Sequence, residues 1–238
     1  MKASFERLRT PPRISSFDWI LTLLPALVWV AAVYGRGWGM KPYCSETPQL
    51  CSPQLLLPID QPALGLEATG ADALSFATQG LSGVVALGIP LIWFLFHFKK
   101  KDALRSLLVD IVIALQITVL NGLCTEVAHW LSVRPRPFVY ANPIQAQLFS
   151  NYTSFYSGHT SFAASATLGA ALMLLGRQAS KYWISAALAL CYSLTSLTGL
   201  YRVLAGRHFP SDVTVGAIAG FVVATLVALK HRAPQTLA

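Results

Sequence analysis

Charge is what this sequence has least of. Only 12% of its 238 residues are Asp, Glu, Lys or Arg, against 54% that are hydrophobic. The apolar residues also fall in long runs instead of the short alternating segments of a soluble core. This composition excludes a water-soluble globular domain and defines an integral membrane protein. Metal-ligand patterns are missing too: neither a CxxC nor an HExxH spacing occurs, so no metal and no cofactor is expected. No continuous basic stripe underlies the formal net charge of +8. The cations stand in short clusters between apolar runs, which argues against nucleic acid as a partner and for signals that orient a chain in a bilayer. Cysteine is scarce, with four in all. Cys44 and Cys51 share one long polar loop, whereas Cys124 and Cys191 lie in apolar surroundings. The loop pair is a candidate disulfide if the loop faces an oxidising compartment, and two free thiols otherwise.

What the sequence does have is six apolar runs of near-membrane length, at about 17–34, 74–98, 104–131, 161–175, 183–204 and 212–229. The expected fold is therefore all-α, a polytopic bundle of six transmembrane helices in one domain spanning 1–238. The first run exceeds the roughly 7 to 15 apolar residues of a signal peptide, so it reads as a retained anchor behind a basic tail, 1–16. A polar loop, 35–72, follows it and includes a short apolar patch from Leu55 to Pro58 suited to the membrane interface. The third run carries Asp110, Gln116, Asn121 and Glu126; such residues are costly in hydrocarbon and are expected to face other helices. The fourth is rich in Ala, Gly and Ser, which permit close helix contact.

Six spans put both termini on one side. With the termini cytoplasmic, Lys2, Arg7, Arg9, Arg13, Lys99, Lys100, Lys101, Arg105, Arg177, Lys181, Lys230 and Arg232 lie inside, twelve of the eighteen Lys and Arg residues. That agrees with the positive-inside rule. Outside remain Arg36, Lys41, Arg134, Arg136, Arg202 and Arg207, and four of these arginines belong to polar clusters that share the outer face.

In the first cluster, HWLSVRPRP from His129 to Pro137, Arg134 and Arg136 sit in a Pro-flanked turn. Such a turn fixes the direction of two guanidinium forks and suits contact with phosphate oxygens. Arginines snorkelling to lipid headgroups are the alternative. The second cluster, Tyr156-Ser157-Gly158-His159, opens the fourth span and offers backbone N–H groups at a helix N-terminus beside a histidine. A simple N-cap serine would read the same way. The third runs from Gly199 to Gly216, with Arg202, His208 and Asp212. At a helix start, residues 208 and 212 can meet on one face, so that the carboxylate holds one imidazole nitrogen and frees the other as a nucleophile. An interfacial salt bridge is the plainer alternative.

Together the three clusters resemble the signature of the type 2 phosphatidic acid phosphatase superfamily of integral membrane lipid phosphatases, written K-x6-R-P, P-S-G-H and S-R-x5-H-x3-D. Arg136-Pro137 matches the first motif; Ser157, Gly158 and His159 the second; Arg202, His208 and Asp212 the third, all within 129–216. Three positions depart, with His129 for the lysine, Tyr156 for the proline and Tyr201 for the serine. The resemblance implies a metal-independent phosphatase in which His208 attacks phosphorus, Asp212 supports it and His159 serves as acid and then base. Arg136, Arg202, Ser157 and Gly158 would hold the phosphate, with His129 in the lysine's place and Arg134 or Arg207 as compensating cations. The implied substrate is a phosphorylated membrane lipid, and candidates are undecaprenyl pyrophosphate, phosphatidylglycerol phosphate, phosphatidate and a lipid A phosphate. The implied setting is a bacterial inner membrane with the site facing the periplasm. A phosphotransferase using the same intermediate, and a non-catalytic lipid-binding or transport protein motivated by the absent lysine and by Asp110 and Glu126, stay open. The motifs leave the oligomeric state undetermined.

Overall fold

The computed structural model describes residues 14–232. Among these, the long elements are all α-helices and no strand occurs. The basic residues Lys2, Arg7, Arg9 and Arg13 lie outside the described residues. Six helices are long and apolar enough to cross a membrane, and the chain is an integral membrane protein. They are α1 (Ser16–Gly39), α2 (Ala71–His97), α3 (Ala103–Ser132), α4 (Gly158–Gly176), α5 (Lys181–Leu204) and α6 (Pro210–Arg232). Each expected span is recovered, and most of the helices run a few residues further than the apolar runs. Ser15 accepts from the Asp18 N–H while the Asp18 carboxylate accepts from the Ser15 N–H, a reciprocal cap that starts α1. Ser157 caps α4 in the same way on one side only.

The centre of the bundle is α4, which packs against α2, α3, α5 and α6. It is among the least apolar of the six by mean hydropathy yet the most enclosed, because its small residues are what neighbouring backbones can approach. Ala163, Ala164 and Ala170 have no exposed surface. From α6, Gly216 and Gly220 come so close that a Cβ would stand 2.7 Å from the Ser157 carbonyl oxygen and 2.3 Å from that of Ser161. This is the small-xxx-small contact of membrane helices. Large side chains such as Leu27, Leu87, Tyr192 and Ile218 are exposed on the outer helices, as a lipid-facing surface requires.

The polar residues of α3 all find partners inside the bundle. Asp110 takes the Arg177 guanidinium at 2.7 Å, Gln116 meets His231 and the Asp18 carbonyl, and Asn121 donates to Ser161. Glu126 is bound by Arg36 through both of its oxygens.

At one end of the bundle lie the start of α1, the α2–α3 and α4–α5 turns and the end of α6, where Lys230 pairs with Asp18. The opposite end carries the 40–70 and 133–157 segments and the α5–α6 turn. Cys44 and Cys51 are bridged there, with Cα atoms 5.5 Å apart. The bridged loop folds over the end of the bundle: Phe209 packs with Leu56 and Ala63, and the Ala68 N–H donates to the Leu204 carbonyl. Gly206 completes this seam. Its φ of 64° and a virtual Cβ only 2.2 Å from the Leu66 carbonyl oxygen leave glycine as the residue that fits.

Candidate active site

His208 sits between α5 and α6 and is 2% exposed. Its Nδ1 lies 2.7 Å from the Ser154 carbonyl oxygen, and a carbonyl only accepts, so Nδ1 carries the proton and Nε2 keeps its lone pair. Burial, with Arg202 and Arg136 nearby, pushes the imidazole well below its ordinary value. The ring is therefore neutral at physiological pH.

Asp212 does not hold His208 directly. Its Oδ2 is 3.7 Å from Nδ1, beyond hydrogen-bond range. The reason is the helix start. Residue 212 is the third residue of α6, so its Oδ2 turns back to accept the Phe209 N–H at 2.9 Å, as a capping carboxylate does. The same oxygen accepts from the Ser154 hydroxyl at 2.6 Å. Asp212 thus reaches His208 through Ser154, whose hydroxyl it binds and whose carbonyl takes the imidazole proton.

His159 is the second residue of α4. Its ring stands edge-on to Phe76 with centroids 4.6 Å apart, and its Nε2 is buried without a partner. Two arginine nitrogens share that condition, Nε of Arg136 and Nε of Arg202. Arg202 is anchored by Asp72 at 2.6 Å and Ser75 at 3.2 Å, and Asp72 also binds Arg207 at 2.9 Å. Arg136 makes one side-chain hydrogen bond, to Thr153 at 3.2 Å. Arg136 lies within electrostatic reach of Arg202, Arg207 and Arg36, and His159 of Arg202, His208 and Arg136. Buried polar atoms are normally hydrogen-bonded. Arg136, Arg202 and His159, mutually within electrostatic reach, thus leave three buried nitrogens with hydrogen-bonding capacity unused.

Three of the expected phosphate contacts are placed otherwise. Arg134 is fully engaged, donating to Asp212 at 2.5 Å, to Ser211 at 2.9 Å and to Asp60 at 2.8 Å while its plane lies over Phe209. It braces the site and is not free to grip an oxyanion. In His129 both ring nitrogens have neighbours, Nδ1 near Arg36 at 3.2 Å and Nε2 near the Tyr156 carbonyl at 3.2 Å. The positive charge at that corner belongs to Arg36, delivered by α1 and fixed on Glu126. The Ser157 hydroxyl caps α4 and its N–H donates to the Asp212 carbonyl at 3.1 Å. Gly158 and His159 keep the first-turn N–H groups that a helix leaves without intrahelical partners. Sequence reading missed Asp60, Asp72 and Ser154, which stand in no motif; Asp60 and Ser154 are brought in by loops and Asp72 by the first turn of α2. Among the described residues no group of three or more His, Cys, Asp or Glu side chains could hold a metal ion.

Six membrane-length helices with a buried cluster of histidines and arginines at one end define a helical membrane protein. The chain belongs to the PAP2 superfamily, whose family model matches residues 110–235. This stretch runs from within α3 to the end of α6 and contains every motif residue, while Arg36, Asp60 and Asp72 lie outside it. No curated protein and no solved structure matches the chain. PAP2 proteins are typically phosphatases, which supports phosphoric ester hydrolysis on lipid phosphates as the class of activity here.

Proposed function

We propose that the protein hydrolyses a phosphomonoester or pyrophosphate of a membrane lipid through a phosphohistidine on His208. The observation that carries this reading is the poise of His208: buried, neutral, protonated on Nδ1 toward Ser154 and so presenting the Nε2 lone pair. In the first step Nε2 bonds to phosphorus as the P–O bond to the lipid breaks, and the departing oxygen takes a proton from His159. In the second, water gives a proton to His159 and attacks phosphorus, the N–P bond breaks, and inorganic phosphate leaves. Arg136, Arg202 and the N–H groups of Gly158 and His159 receive the charge that builds on the equatorial oxygens.

The substrate's tails stay in lipid while its headgroup enters at the end of the bundle. That end is assigned to the periplasmic side of a bacterial inner membrane, with both termini cytoplasmic. Lys99, Lys100, Lys101, Arg105, Arg177, Lys181 and Lys230 gather at the opposite end, where positive charge marks the cytoplasm. The Cys44–Cys51 bridge at the site end belongs in an oxidising compartment. The transport reading loses one of its motives, since Asp110 and Glu126 are each paired with an arginine.

The test is phosphate release by the detergent-purified protein, with EDTA present, from phosphatidate, phosphatidylglycerol phosphate, undecaprenyl pyrophosphate and a lipid A phosphate, beside His208→Ala. Release that falls more than about 10⁴-fold in the variant is expected for loss of a nucleophile. Release that survives in His208→Ala, or its absence from the folded wild type on every lipid, would overturn the proposal. Transfer to an added alcohol instead of water would identify a phosphotransferase.

A further inference from the structure

Asp60 belongs to the 40–70 loop, outside the stretch that matches the family, and to no motif. It nevertheless has no exposed surface and uses both carboxylate oxygens at the site. Oδ1 accepts the Ser211 N–H at 2.9 Å, and Oδ2 accepts the Ser211 hydroxyl at 2.7 Å and Arg134 Nη2 at 2.8 Å. Arg134 continues through Nη1 to Asp212 at 2.5 Å. Asp212 binds the Ser154 hydroxyl at 2.6 Å, and the Ser154 carbonyl takes the His208 Nδ1 proton at 2.7 Å. We propose that Asp60 is a positioning residue for His208, acting through Arg134, Asp212 and Ser154. This rests on the functional reading above.

Charge and geometry both require the second carboxylate. Arg134 with Asp212 alone would be a single ion pair whose guanidinium could pivot about one contact. With Asp60 on its other amino group and Phe209 4.3 Å beneath its plane, it is held at two edges and one face. Asp212 is then fixed opposite Ser154, and Ser154 presents its carbonyl to one imidazole nitrogen only. The supply of Asp60 from the disulfide-bridged loop makes that loop part of the site and not merely its cover.

The experiment compares Asp60→Asn, Arg134→Lys and the double variant by kcat, KM and melting temperature on phosphatidate in mixed micelles. It also follows the His208 imidazole by ¹⁵N NMR, assigned against His208→Gln. Asn keeps the shape of Asp60 without its charge, and Lys keeps the charge of Arg134 but cannot span two carboxylates. Each single variant is expected to lower kcat about tenfold with KM within about twofold, the scale typical of groups that orient a reactive residue. The double variant should be no worse than the poorer single, since both break one chain. The NMR signals should move from the Nδ1–H tautomer to a mixture. Asp60→Glu should recover part of kcat. A folded Asp60→Asn with wild-type kcat and tautomer would overturn the inference, as would multiplicative losses in the double variant. If the wild type hydrolyses no phosphate at all, the functional reading fails while the tautomer measurement still decides the network. If Asp60→Asn does not fold, Arg134→Lys carries the same expectations and the same refutation.

Discussion

Both ends of this bundle bury charge, but they treat it differently. At the end where α1 begins and α6 finishes, Asp18 meets Lys230, Gln116 meets His231, and Asp110 meets Arg177. Among the described residues none of those side chains has a buried polar atom without a partner. At the other end Arg136, Arg202 and His159 each hold a buried nitrogen with none. Paired charges inside a bilayer lock helices together, whereas stranded donors cost stability until something arrives to accept from them. The first end is finished as built; the second leaves contacts open for a further partner. The difference between these buried groups lies in how many hydrogen-bond contacts are left open.

The largest effect that would break this comparison is on Arg136. Arg136→Met should lower kcat/KM by about 10² to 10³, the scale for losing one preorganised donor to a transition-state oxyanion, yet leave the melting temperature unchanged or raised. A loss of stability in parallel with activity would mean that Arg136 is structural and that the open contacts are no site. Next comes the reverse experiment at the paired end. Arg177→Met leaves Asp110 unpartnered, 5% exposed, and should destabilise by about 3 kcal/mol while activity per folded molecule stays as in the wild type. Denaturant titration beside phosphate release separates the two, and a large loss of specific activity would erase the distinction between the ends.

The helices were legible in the sequence because apolar runs near membrane length leave little choice of structure. The polar residues of α3 were legible as inward-facing for the same reason, since Asp110 and Glu126 cannot face lipid. Much of the site was legible from motif spacing, which carries which residues converge but not what each one touches. Asp212 shows where spacing fails. Four residues from His208, it would share a face with it inside a helix, but α6 begins only at Pro210, so His208 stands outside the helical register and the carboxylate turns to the Phe209 N–H and Ser154. Asp60 was not legible, because a loop with short 3-10 turns has no period from which to infer a partner, and Asp72, in the first turn of α2, stands in no motif that pairs it with Arg202. Gly216 and Gly220 passed unread for a different reason. Their close approach depends on the small residues of α4, and helix pairing is not written in either helix alone.

The smallest predicted effect tests the poise of the open end by pH. Because burial holds the folded His208 well below the ordinary histidine value, the unfolded chain, at about 6.5, takes up the proton first on acidification. Stability from this residue is therefore complete above about pH 6.5 and is lost progressively as pH falls toward the folded value. His208→Gln lacks that dependence, and all other histidines are common to both proteins. The stability of the wild type relative to His208→Gln should thus fall between pH 7.5 and pH 5, measured by urea titration in the same detergent. A gap that widens on acidification would mean the folded protein gains the proton first. His208 would then be an imidazolium like the paired cations of the opposite end, with no lone pair on Nε2 to offer phosphorus, and the contrast between a finished end and a waiting one would lose its chemical meaning.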